Sequence, residues 1–161
     1  MGSSEEFAVE SAAIVSVTRS ATERAVRAMA DDDRLFVYGT LQFPEVLVEL
    51  IGRRPECVAA ELAGWRVATL PGRVYPGLVP AVGGVARGAV LSGLDAAERA
   101  VLDAFEDDEY ELRQVRLDSV TSAWTYVWTS GVAQDDWFAE RFAAEHLESF
   151  VLRCAGWRRR L

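Results

Sequence analysis

Two short stretches carry residue types suited to acid–base chemistry on a small molecule. In the first, Tyr38-Gly39-Thr40-Leu41-Gln42-Phe43, an apolar run stops abruptly at glycine. A strand that ends there and turns into a helix gathers several main-chain N–H groups into one bend, which suits an anion or a developing oxyanion. Gly39, lacking a Cβ, would let the main chain approach a ligand closely. Taken alone the bend is commonplace, and its ordinary reading is a strand end with Tyr38 packed in the core.

The second stretch is Asp103-Ala104-Phe105-Glu106-Asp107-Asp108-Glu109-Tyr110. An acidic run usually marks a solvated helix end, so periodicity must single out any special member. At about 100° per residue, Glu106 falls about 40° from Leu102, on the side of Val101 and Phe105. Asp103 and Asp107 project away from that stripe. Glu106 is therefore the carboxylate expected to meet apolar surroundings, where burial and neighbouring acids raise a carboxyl pKa toward the range of a general base. On this pattern alone a structural role is the commoner one.

Other chemistries find less support. His146 is the sole histidine, lies between Glu145 and Glu148 in a helical stretch, and has no evident partner nucleophile, so it reads as an exposed helical side chain. Its isolation excludes His-rich metal sites, and no metal is expected. Cys57 and Cys154 form no C-x-x-C unit, which points to a reducing, cytoplasmic compartment. A formal charge of −8 argues against nucleic acid as a partner. No apolar run approaches the roughly 18 residues of a membrane-spanning helix, so no membrane partner is expected. All 17 basic residues are arginine; Arg158-Arg159-Arg160 reads as cationic complement to a helix C-terminus.

The elements that must position the two stretches can be read in outline. Residues 1–33 form a weak helical stripe, an appended helix or partly ordered arm with the pattern of neither a secretory signal nor a transit peptide. Residues 34–161 form one domain. Arg34–Tyr38 is a short strand, and Pro44 opens a helix over Glu45–Ile51. Val58–Leu62, Trp65–Leu70, Gly84–Leu91, Tyr110–Leu117 and Trp124–Val127 read as strands. Asp95-Ala96-Ala97-Glu98 has the form of a capping box opening a helix to about Phe105–Asp107. Trp137 to about Cys154 reads as one long amphipathic helix with Phe138, Phe142, Leu147, Val151 and Leu152 on its apolar side. Short strands with few helices, in no regular β-α-β rhythm, predict an α+β fold with a small barrel-like sheet.

The order Leu35-Phe36-Val37-Tyr38-Gly39-Thr40-Leu41, Pro44, Gly72-Arg73-Val74-Tyr75-Pro76-Gly77, Leu102-Asp103-Ala104-Phe105-Glu106, Tyr110 and Arg113 resembles the γ-glutamylcyclotransferase-like superfamily, and within it the plant avirulence-induced-gene branch. Trp137-Phe138 leading to Phe150-Val151 and Cys154 resembles that branch's C-terminal helix. The likeness spans about residues 34–157. It implies a small mixed β-barrel flanked by helices, no metal or organic cofactor, and a small γ-glutamyl compound as the molecule bound. It also implies that Tyr38, Gly39, Thr40 and Leu41, continuing into Gln42 and Phe43, cradle the substrate chiefly through the backbone, and that Glu106 is the catalytic acid. Tyr110 joins the binding set, packing against the loop or hydrogen-bonding Glu106 rather than reacting. Asp107 stands where many relatives have glycine, and would tune Glu106 or crowd the mouth. Arg73, Arg113 and Arg116 are unranked candidates for a carboxylate clamp, and the loops Arg73–Leu78 and Val132–Asp136 are expected to form the outer wall. The implied activity is 5-oxoproline release from a γ-glutamyl amine or peptide. Its rival is a non-catalytic small-molecule-binding or stress-response module on the same fold. Oligomeric state is not legible.

Overall fold

The computed structural model describes residues 34–161; the helical arm expected over residues 1–33 lies outside them. Five strands form one mixed sheet: β1 (Leu35–Val37), β2 (Glu56–Thr69), β3 (Pro76–Ser92), β4 (Tyr110–Arg116) and β5 (Ser122–Trp128), in the order β2-β3-β1-β5-β4. Only β1 and β5 run parallel. Helices are α1 (Pro44–Ile51), α2 (Ala96–Phe105), α3 (Ala139–Glu145) and α4 (Leu147–Arg159). The α+β class expected from the residue pattern is the observed one. The barrel is not: β2 and β4 are the two edges of an open sheet.

Alternation along the short central strand separates two cores, as the two-residue period of a strand requires. Leu35 and Val37 join Val46, Leu50, Leu102, Phe142 and Phe150 on the side of the helices. Phe36, followed by Tyr38, joins Leu62, Leu78, Val90 and Val127 on the other. β3 crosses β1 very closely, since a Cβ on Gly88 would stand 2.1 Å from the Val37 carbonyl oxygen. Glycine at 88 is therefore required by backbone approach.

The two strands expected at Val58–Leu62 and Trp65–Leu70 are one long strand, with a register shift between Ala63 and Trp65 where Gly64 takes φ +89°. The single helix expected from Trp137 is instead two, meeting at His146, which ends α3 and begins α4 with φ −133°. A straight helix would separate residues 142 and 150 by about 12 Å along its axis. The break brings the Phe142 and Phe150 rings to 5.6 Å, edge-on, in the core. Phe138 and Leu152, expected on the apolar side, are 54% and 69% exposed. Arg158 and Arg159 do lie in the last turn of α4. Among the described residues, no helix is long and apolar enough to cross a membrane.

Candidate active site

β1 delivers the chain into a 3-10 turn over Thr40–Gln42, with Gly39 at its entry. Inside the turn, the Gln42 amide donates to the Gly39 carbonyl and the Phe43 amide to the Thr40 carbonyl, both at 3.2 Å. The amides of Thr40 and Leu41 stand ahead of these bonds, as the first amides of any helical turn do. Gly39 has φ −127° and ψ −126°. A Cβ there would lie 2.7 Å from Pro76 Cγ, so the glycine is required by the Pro76 ring.

α2 carries the acidic stretch to the same place. Its start is fixed by a complete capping box, Glu98 N to Asp95 Oδ1 at 2.7 Å and Asp95 N to Glu98 Oε1 at 3.0 Å. The Arg53 guanidinium clamps Glu98 through two bonds of 2.6 and 2.8 Å, which holds that carboxyl below the usual carboxylate range. α2 ends at Phe105, and Glu106 is its C-cap with an extended backbone (ψ 143°). Glu106 is half-buried. The expectation that Asp103 projects outward is wrong: Asp103 is 5% exposed and accepts a short hydrogen bond from the Tyr126 hydroxyl. The buried stripe of α2 runs through Arg99, Leu102 and Asp103, and its next member at helical spacing is residue 106. Polar occupants hid it from a reading based on apolar positions.

These pieces line one cavity of about 520 Å³. Tyr38, Gly39, Thr40 and Leu41 form one part of its wall, and Glu106, Asp107, Asp108 and Tyr110 another. Gln42 and Phe43 do not line it. Gln42 turns back, its Nε2 donating to the Tyr38 carbonyl at 2.8 Å, and Phe43 packs on Phe142 at 5.4 Å. The Tyr38 hydroxyl donates to the Tyr126 carbonyl at 2.6 Å and the Tyr110 hydroxyl to the Pro76 carbonyl at 2.5 Å. Burial first, and then nearby charge that includes Glu106, hold both phenols well above the ordinary tyrosine range.

Asp107 accepts a short hydrogen bond from the Tyr75 hydroxyl, and Arg73 Nε lies 3.9 Å from it. It thus pins Tyr75, another cavity residue, to the end of α2. None of the three candidate clamp arginines lines the cavity. Arg73 pairs with Glu109, Arg113 with Glu111, and Arg116 donates to the Ser119 carbonyl. The outer wall comes partly from Tyr75 and Pro76, as expected, but the Val132–Asp136 loop takes no part in it. In its place stands α4, through Phe150, Arg153, Gly156, Trp157 and Arg160. Nothing in the local sequence marks these residues. Their spacing of three and four is the only clue, and it becomes legible once α4 is known to face α2. His146 lies at the α3–α4 junction, 42% exposed and 3.7 Å from Glu145. Among the described residues, no group of three or more His, Cys, Asp or Glu side chains could hold a metal ion.

Residues 35–143 match the family model described as gamma-glutamyl cyclotransferase, AIG2-like. Over 125 residues the chain is 38% identical to AIG2-like protein C of Arabidopsis thaliana, covering 73% of each. A solution structure of an Arabidopsis thaliana protein is similar with TM-score 0.58 at 32% identity, over 75% of this chain and 87% of that one. A crystal structure of an uncharacterized protein from Pyrococcus horikoshii shares the fold at 18% identity, with TM-score 0.54 over 76% of this chain and 95% of the other.

Proposed function

The chain belongs to the gamma-glutamyl cyclotransferase, AIG2-like family, and from that premise we propose that it releases 5-oxoproline and a free amine from a γ-glutamyl amine or peptide. One observation carries the assignment: Glu106 and the Tyr38–Leu41 bend line a single cavity of about 520 Å³, a size suited to a small molecule.

The chemistry is intramolecular. Glu106 takes a proton from the α-ammonium of the substrate, and the freed amine attacks the γ-carbonyl carbon. A C–N bond forms, closing the five-membered ring, and negative charge gathers on the carbonyl oxygen. Main-chain N–H groups at the start of the 3-10 turn donate to that oxygen. Glu106 returns its proton to the leaving nitrogen, the oxyanion collapses and the bond to that nitrogen breaks. The regenerated carboxylate then takes the second proton from the ring nitrogen, leaving a neutral lactam, and passes it to the departing amine, which leaves as an ammonium. No side-chain nucleophile is consumed, so the protein's task is to hold one conformer and carry protons from the attacking nitrogen to the leaving one. Tyr38 and Tyr110, kept neutral, brace the wall around the carboxylate.

The test is 5-oxoproline production from a panel of γ-glutamyl amino acids, glutathione and γ-glutamyl-lysine. Glu106→Gln is expected to keep the circular dichroism spectrum and lose turnover by about 100-fold or more, the usual worth of a general acid–base group. Near-normal turnover by the folded variant removes Glu106 from the mechanism. Ligand binding without product from any member of the panel supports the non-catalytic binding module instead.

A further inference from the structure

A γ-glutamyl unit carries three polar groups, and the mechanism above uses two, the ammonium and the γ-amide. The third, its α-carboxylate, calls for a cation. Arg53, Arg66, Arg73 and Arg113 are each paired with a carboxylate. Arg153 and Arg160 line the cavity, and among the described residues neither has an ion-pair partner.

Their placement is specific. Residues 153, 156, 157 and 160 follow the three- and four-residue spacing of one helix face, and all four line the cavity. Gly156 between them leaves space, and the Arg160 guanidinium lies back over it, Nη1 standing 3.7 Å from where a Cβ would be. The Arg153 guanidinium lies 5.3 Å from the centre of the Phe150 ring. That ring and Trp157 both meet Phe105 edge-on, at 6.2 and 5.1 Å, and Phe105 is the residue before Glu106. A short run of ring contacts therefore links the basic groups of α4 to the end of α2.

We propose that Arg153 and Arg160 hold the α-carboxylate of the γ-glutamyl unit whose ammonium faces Glu106, so that α4 makes the cavity selective for a free α-amino acid head; this rests on the cyclotransferase reading. A planar guanidinium suits the task, because its paired N–H groups match the two oxygens of a carboxylate. The element doing this lies wholly beyond residues 35–143, the part matched by the family model. Substrate selection would then reside on a segment separate from the one that carries the acid–base chemistry.

The test pairs the best substrate of the panel with its α-carboxamide analogue, of the same shape but without the charge and with an N–H donor in place of one acceptor oxygen. Wild-type protein is expected to prefer the acid by about 10-fold or more in kcat/KM, as for a charge-assisted contact. In the doubly substituted Arg153→Gln, Arg160→Gln protein the preference falls to near parity, with the loss carried by KM. Comparing one ratio between proteins cancels the intrinsic reactivity of the two substrates. Arg141→Gln removes the same charge from α3, outside the cavity, and retains the preference, which separates contact from general positive field. A double variant that keeps the wild-type preference, or a wild type that shows none, overturns the proposal. If no panel member is cyclised, calorimetry with 5-oxoproline and 5-oxoprolinamide decides separately. Binding that needs both the carboxylate and the two arginines upholds the arginine assignment while the cyclotransferase reading fails. Binding indifferent to the carboxylate, or none, overturns the assignment.

Discussion

Single residues at the bend are fixed by their neighbours across the sheet. Pro76 and Gly77 press on two strand ends at once. The Pro76 ring sits where a side chain at 39 would begin, and a Cβ on Gly77 would stand 2.6 Å from Trp128 Cβ. Gly39→Ala forces the proline ring away, and overpacking of this kind costs about 1–3 kcal/mol. Urea denaturation should show that loss, and Pro76→Ala in the same chain should recover part of it, since the two atoms that collide belong to these two residues. The sequence pointed to Gly39 because a strand stopped there; that its partner is Pro76 depends on a contact 37 positions away, beyond the reach of local pattern. Asp103 departs from the outward position that the helical pattern predicts for a different reason. A helix face is ordinarily traced through its apolar members, yet here Arg99 and Asp103 occupy buried positions because each has a partner, the Leu94 carbonyl at 2.7 Å for Arg99 and the Tyr126 hydroxyl for Asp103.

Among the elements, α2 was the most readable, since its capping box and its end at Phe105 both follow from side chains near in sequence. Asp95→Ala should cost about 0.5–2 kcal/mol, the usual worth of an N-cap, while leaving kcat little changed, because Glu106 lies at the other end of the helix. The Glu98 carboxyl is held low chiefly by its hydrogen bonds from Arg53. A group whose pKa is lower in the folded state stabilises above its unfolded value, and that contribution fades as pH falls through the folded one. Thermal midpoints of wild-type protein should therefore fall as pH drops below the ordinary carboxylate range, and Glu98→Gln should flatten that limb. The division at His146 was not legible. Helical periodicity continues on both sides of it, and only the meeting of Phe142 with Phe150 demands the break. The Glu56–Thr69 strand was divided in reading because Gly64 resembles a turn residue, whereas a register shift absorbs its positive φ within one strand.

For the molecule as a whole, an open five-stranded sheet leaves the gap between strands to be bridged by side chains. Tyr38 reaches from the end of β1 to the Tyr126 carbonyl of β5, and Tyr110 from β4 to the Pro76 carbonyl of β3. Short strands implied curvature, but closure needs a bond between β2 and β4 that no sequence pattern declares. The same two tyrosines set an alkaline boundary. Their folded pKa values stand above the unfolded value near 10, so their stabilisation is complete below about pH 10 and is lost as pH rises further, because only the unfolded chain then releases those protons. Absorbance near 295 nm should show Tyr38 and Tyr110 ionising only with the unfolding transition, and Tyr38→Phe should lower that step by one tyrosine. Ionisation of either ahead of unfolding contradicts their burial.

α4 is moored along one line and open along the next. Phe150 and Cys154 are sunk in the core, and the Arg158 Nε donates to the Leu50 carbonyl at 2.9 Å, fastening the helix to the end of α1. Positions 153, 156 and 160 lie alongside that mooring line without belonging to it, whereas Trp157 is held against Phe105. Exchanging those three residues would rewrite what the protein admits while the helix stays tied in place, so new selectivities could be sampled by mutation without first loosening the scaffold.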